Sequence, residues 1–182
     1  GVNGMSFDAP EKYRRHAKAI LQGRHSFLEK PFLPEGKTEI FMDFEGVESI
    51  RVNGKVISGD YLIGLLLRDN GTETFHPFVA EKPEQEHAML LDFIKYLKKR
   101  SNNAIYHYGS YERSHLATLF HTYGVDEAFA SQILASMTDI YQVAKKAVIF
   151  PIHSYSLKEI GKYLGVQWKD VADAKDSIAL YT

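Results

Sequence analysis

No cysteine occurs in the 182 residues, which excludes disulfide frameworks, thiolate nucleophiles and cysteine-bound zinc and fits a reducing compartment. No apolar run approaches the roughly 18 residues of a membrane span, and no signal peptide is read at the start of the chain. The expectation is a cytoplasmic, soluble protein with no membrane partner. An excess of one charge is missing too: 22 Lys and Arg face 23 Asp and Glu. There is therefore no global basic field of the kind that drives nonspecific nucleic-acid binding, and any such contact has to come from local patches. Internal repeats and low-complexity tracts are also absent.

What is present is 45% hydrophobic residues, enough for a substantial core in a chain of one-domain length. The reading divides it into a helical extension and linker over residues 1–36 and a main domain over residues 37–182, the extension suiting the tail of an upstream domain in a longer protein. A helix is expected from Pro10 to Leu21, with Phe27, Leu28 and Phe32 holding down a linker. Strand patterns follow at Glu39 to Glu45, on either side of Asn53-Gly54, at Tyr61 to Leu67, and at Thr72 to Val79 after Asp69-Asn70-Gly71. These form an antiparallel meander. A helix from Pro83 carries a buried stripe of Leu90, Leu91, Ile94 and Leu97 and ends in Lys98-Lys99-Arg100. Ala104 to Tyr108 is a strand, and Leu116, Leu119, Phe120 and Tyr123 mark a helix stopped at Gly124. Further helices are expected at Asp126 to Ala135, at Thr138 to Ala147, after the Ser156/Glu159 capping box with Leu157, Ile160 and Leu164 inward, and from Asp173 onward. The order predicts an α/β fold, a mixed sheet flanked by helices.

Three carboxylate segments stand out from this scaffold. In Ile40-Phe41-Met42-Asp43-Phe44-Glu45, strand alternation puts Asp43 and Glu45 on one face and Ile40, Met42 and Phe44 on the other. Crowded carboxylates repel and are costly to desolvate, so a divalent cation is their natural counter-charge. Oxygen-only ligation suits Mg²⁺ or Mn²⁺, and two such ions about 4 Å apart suit in-line attack on a phosphodiester. An edge strand ending in water accounts for the alternation equally well. Glu112 falls where the strand through His107 gives way, past Gly109, to a helix capped by Ser110; a dipole-satisfying acid is the plainer account of it. Asp176 lies three residues into the helix opened by Asp173, where a capping pair is again the plainer account.

Together the three segments resemble the exonuclease motifs of the DEDD (DnaQ-like) superfamily of RNase H-like fold. Asp43 and Glu45 match its strand Asp-x-Glu. His107-Tyr108-Gly109-Ser110-Tyr111-Glu112 matches its His-Asn-x-x-Phe-Asp motif with Glu in place of the final Asp, and Asp176 matches the Asp of its closing helix. The closer resemblance is to the YprB-type RNase H-like domain of RecB-like nuclease-associated proteins, through His107 to Glu112, Ser154-Tyr155-Ser156-Leu157-Lys158 and Leu164-Gly165-Val166-Gln167-Trp168.

The resemblance implies an RNase H-like sheet and a 3'-5' exonuclease acting on single-stranded DNA or RNA ends. Asp43, Glu45, Glu112 and Asp176 would hold two Mg²⁺ or Mn²⁺ ions in a longer multidomain protein. A catalytically weak or inactive nucleic-acid-binding scaffold attached to another nuclease domain is the alternative. The family's base, a His or Tyr four or five residues before the last Asp, is replaced here by Ala172 and Val171, leaving metal coordination alone to deprotonate the water, or a residue from elsewhere such as His153 or Tyr155. Tyr108, Tyr111 and Tyr155 are candidates for stacking on a nucleobase, and His107 for orienting a ligand, with packing as the other role open to each. Lys98, Lys99 and Arg100 suit a helix C-terminus better than a phosphate backbone.

Overall fold

Along the chain, helix α1 (Ala9–Gln22) and the short strand β1 (Ser26–Phe27) precede three longer strands, β2 (Thr38–Val52), β3 (Lys55–Asp69) and β4 (Thr72–Val79). A 3-10 turn at Pro83–Gln85 leads into α2 (Glu86–Lys98), followed by β5 (Asn103–His107), α3 (Tyr111–Thr122), α4 (Glu127–Ser136) and β6 (Met137–Asp139). Then come α5 (Ile140–Ala147), β7 (Val148–Ile149) and α6 (Leu157–Tyr163). This computed structural model describes residues 9–52, 55–100 and 103–167. The Asn53-Gly54 turn, the helix expected from Asp173 and the candidate Asp176 lie outside the described residues.

The chain divides into two compact units. Among the described residues, 34–140 form one, and 9–33 with 141–167 form the other. The N-terminal segment thus does not stand alone. In its unit β1 pairs antiparallel with β7, Leu28 N–H donates to the Ala147 carbonyl at 2.7 Å, and His25 meets the Tyr163 hydroxyl at 3.0 Å.

In the larger unit the strands run β4-β3-β2-β5-β6. The first three form the antiparallel meander, while β5 lies parallel to β2 and β6 parallel to β5. This is the α/β mixed sheet flanked by helices that the element order predicts. Asn70 and Gly71 both take positive φ, 49° and 82°, between the paired residues Asp69 and Thr72. Two residues in that conformation form the turn whose twist matches that of the strands it joins.

One expected element changes identity. Thr138 and Asp139 belong to β6 rather than to a helix running to Ala147. Local pattern favoured helix, but Met137, Thr138 and Asp139 find partners beside Ile105, Tyr106 and His107, and tertiary pairing overrides so short a propensity.

On the inner face of the sheet Ile40, Met42, Phe44, Ile63, Leu65 and Leu67 are buried, as the alternation of β2 requires. They pack against Met89, Leu90, Phe93, Ile94 and Leu97 of α2 and Leu116, Leu119 and Phe120 of α3. Leu91, expected in the α2 stripe, is turned outward, and Phe93, fully buried, fills the stripe beside Leu90 and Ile94. In α6 only Ile160 of the three expected inward residues is buried; Leu157 and Leu164 are exposed. No helix among the described residues is long and apolar enough to cross a membrane.

Because Phe93 is fully buried in contact with the sheet, Phe93→Ala is expected to cost about 3–5 kcal/mol of unfolding free energy. Urea denaturation followed by circular dichroism measures it, and a loss below about 1 kcal/mol contradicts this placement of the core.

Candidate carboxylate site

β2 delivers the first two carboxylates. With Ile40, Met42 and Phe44 directed into the core, Phe41, Asp43 and Glu45 take the opposite face. Directly across from Asp43 on β3 is Gly64, so no neighbouring side chain on that strand crowds it.

The third arrives by a strand-to-helix switch. β5 ends at His107, Gly109 turns the chain with φ 96°, and α3 begins at Tyr111. Asp139, at the end of β6, accepts a hydrogen bond from Gly109 N–H at 2.9 Å, so the strand missing from the sequence reading also fixes the turn that launches Glu112. Ser110 occupies the N-cap position but makes no side-chain capping bond. Its carbonyl instead accepts from Ser114 N–H at 3.1 Å and Ser114 Oγ at 2.8 Å.

Glu112 is only 6% exposed, unusual for a carboxylate in the first turn of a helix. It hydrogen-bonds the Asp43 carboxyl group, and its negative charge and that of Glu45 act on Asp43. Partial burial first, then Glu112 and Glu45, push the Asp43 pKa up to about 6. Asp43 is itself exposed to water, which screens much of the effect.

Among the described residues Glu112 Oε2 has no hydrogen-bond partner, and neither does Nδ1 of the buried His107, 3.6 Å away, too long for a bond. A buried carboxylate oxygen with no hydrogen-bond partner among the described residues fits a divalent cation in donor type and in charge. Among the described residues, however, no group of three or more His, Asp or Glu side chains is close enough to hold a metal ion, and Asp176 lies outside them. The charges of Glu112 and Glu45 both act on Asp43, and the buried His107 lies beside Glu112.

The three tyrosines part company. Tyr108 is half-buried just past β5. The ring of Tyr111 stacks on His115 with centroids 3.8 Å apart, and its hydroxyl bonds Asp60. Tyr155 belongs to the smaller unit, where its hydroxyl donates to the Val148 carbonyl at 2.8 Å and accepts from Phe150 N–H at 3.2 Å. His153, the other substitute base, is in that unit as well. Arg100 lies over the Tyr96 ring at 3.6 Å and donates to its carbonyl, and Lys98 lies over Phe129 at 5.0 Å, as the helix-end reading requires.

Sequence reasoning missed Asp60. It is 4% exposed, and both its carboxylate oxygens lie within 3.1 Å of His115 Nδ1. Burial pushes its pKa up, while the His115 and Tyr111 hydrogen bonds oppose that shift. Its backbone N–H donates to Glu86 Oε1 at 2.6 Å, and Tyr123 donates to Glu86 Oε2 at 2.6 Å. The cluster abuts β2 at Gly46, the residue after Glu45, where the ladder slips by a bulge. A Cβ on Gly46 would lie 2.5 Å from Asp60 Oδ1 and 2.8 Å from the Tyr111 hydroxyl. The available signal was an acid between Gly59 and the apolar run from Tyr61, paired across the strands with a glycine.

The RNase H superfamily model matches residues 40–182. No curated protein and no solved structure gives a significant match.

Two outcomes are expected here. Gly46→Ala forces Asp60 and Tyr111 apart and costs about 1–3 kcal/mol by urea denaturation; an unchanged midpoint contradicts the close approach. The raised pKa of Asp43 also has a signed consequence. The folded chain holds the Asp43 proton up to about pH 6, whereas the ordinary value is 3.8. Ionising it therefore costs stability, absent below pH 3.8, growing as pH rises to about 6 and constant above. In EDTA at pH 7, Asp43→Asn is expected to raise the melting temperature by about 2 °C, after allowance for solvent screening. At pH 3.5 the gain vanishes, and a gain independent of pH refutes the assignment.

Proposed function

Because the chain belongs to the RNase H superfamily, whose members are nucleic-acid-cleaving hydrolases, we propose that it is a metal-dependent phosphodiester hydrolase, a 3'-5' exonuclease on single-stranded ends. The observation that carries the reading is the buried, unpartnered Glu112 Oε2 beside an Asp43 carboxyl group whose pKa is raised by its acidic neighbours. Such a site is short of positive charge, and a divalent cation is the group that supplies it.

In this reading Asp43, Glu45 and Glu112, with Asp176 by the family resemblance, hold one or two Mg²⁺ or Mn²⁺ ions. When bound, such ions lower the pKa of coordinated water and stabilise charge on the leaving oxygen. The chain's own residues do the rest. Glu112, walled by the buried His107, fixes the inner edge of the site. Asp43, with its rim toward water, faces the scissile phosphate. Tyr108, half-buried past β5, offers a ring on which a terminal base can stack. Tyr111, whose hydroxyl is engaged by Asp60, positions the first turn of α3 and thereby Glu112; Tyr155 is assigned to substrate contact through the resemblance alone.

A second reading, a catalytically inactive nucleic-acid-binding module, draws on Ala172 and Val171, which stand where the family carries its base.

Incubation with 3'-labelled and 5'-labelled single-stranded oligonucleotides in Mn²⁺ separates the two. The nuclease reading expects mononucleotide release from the 3' end and a loss of about 100-fold or more in Asp43→Ala and Glu112→Ala, with Glu112→Asp retaining most activity. Equal turnover by wild type and Asp43→Ala overturns it, and oligonucleotide binding in EDTA with no cleavage in Mn²⁺ establishes the second reading.

A further inference from the structure

The near-zero net charge conceals a segregated one. Within residues 9–33, six Lys and Arg stand against two Glu, and the smaller unit gathers four of these cations around one cleft of about 600 Å³. Arg14, Arg15 and Lys18 recur at helical spacing on α1, and Arg24 follows its end; His25 and Phe27 complete the wall. Glu11, also in the cleft, pairs with Arg14 and Arg15 at 2.9 Å each. Lys18 and Arg24 have no carboxylate partner among the described residues.

Two features say what this charge is for. The helix face is anchored by Ala19, 3% exposed, and the far wall by the β1–β7 pair, so the cations are presented by fixed backbone rather than by a loop. Phe27 is 59% exposed although paired in β1, with its ring 5.4 Å from that of His25 in an edge-to-face contact. Cations for phosphates beside an open aromatic ring for a base are the elements of a single-strand binding groove. An anionic lipid surface accounts for the cations but not for a ring in the wall of a concave cleft.

We propose that this cleft of the smaller unit is a second binding site, for the backbone of single-stranded nucleic acid, with Lys18 and Arg24 meeting phosphates and Phe27 stacking on a base. It extends the nuclease reading without depending on the carboxylates.

Fluorescence anisotropy of a labelled dT20 oligonucleotide with the full chain in EDTA tests it, since no cleavage is needed for binding. The double variant Lys18→Gln/Arg24→Gln is expected to bind about tenfold more weakly, with the slope of log affinity against log salt reduced by about 1.4. Phe27→Ala is expected to weaken binding by about fivefold or more with the slope unchanged. Lys18→Arg/Arg24→Lys, keeping both charges, is expected to bind as wild type, which separates a contact from a folding defect. Unchanged affinity and slope in Lys18→Gln/Arg24→Gln overturn the proposal. So does absence of oligonucleotide binding by wild type, or binding only to vesicles containing anionic lipid. Wild type that binds through Lys18 and Arg24 but never cleaves in Mn²⁺ removes the nuclease reading and leaves this site standing.

Discussion

The repulsion between Asp43 and Glu112 is the constraint around which the larger unit is arranged. Two elements far apart in sequence, the strand β2 and the first turn of α3, hold carboxylates in hydrogen-bonding contact, with one oxygen of Glu112 left unpartnered in the interior. A fold selected only for stability would place a neutral pair there, since an uncompensated buried acid costs more than any hydrogen bond it makes. Burial first, then the charges of Glu112 and Glu45, raise the pKa of Asp43. In the proposed reading a divalent cation would be the reason to retain this arrangement, since it would supply the positive charge that Asp43, Glu45 and Glu112 lack.

Holding two like charges together requires rigid supports, and the supports are polar. Asp139 fixes the Gly109 turn from the end of β6. On the opposite side of α3, Asp60 receives bonds from His115 and Tyr111, and Glu86 ties Asp60 to Tyr123. Gly46 exists as glycine because this network comes within 3 Å of where its side chain would be. The site is thus bracketed by fully engaged acids, Asp60 and Asp139, around an unsatisfied one, Glu112. That contrast, and not burial, is what distinguishes the two acids, because Asp60 and Glu112 are almost equally buried.

What the sequence made legible follows the range of the physics involved. Alternation in β2 is a property of six adjacent residues, and it placed Asp43 and Glu45 on the face opposite Ile40, Met42 and Phe44 without knowledge of any partner strand. The Asn70-Gly71 turn, the Gly124 stop and the Asp126 cap are equally local. The strand β6 was illegible because three residues carry no period, and their identity is decided by β5 alongside them. Asp60 was overlooked because an acid beside an apolar run looks like a strand end, and its partners His115 and Tyr111 come from a helix about 50 residues further on. The exposure of Leu91 and burial of Phe93 reflect which residue of a crowded apolar stretch meets the sheet, a matter of helix rotation that spacing alone leaves open.

Net charge excluded a global basic field and left any contact to local patches, without saying where a patch lies. One is present on α1, where Arg14, Arg15 and Lys18 share a face, and it is offset in the sum by carboxylates elsewhere, among them Asp43, Glu45 and Glu112. In the proposed reading a nuclease needs acids where a cation would sit, and these repel the substrate's phosphates until the cation is bound. Attraction for the backbone would then have to come from other residues, and the cations of α1 are of the sign that supplies it.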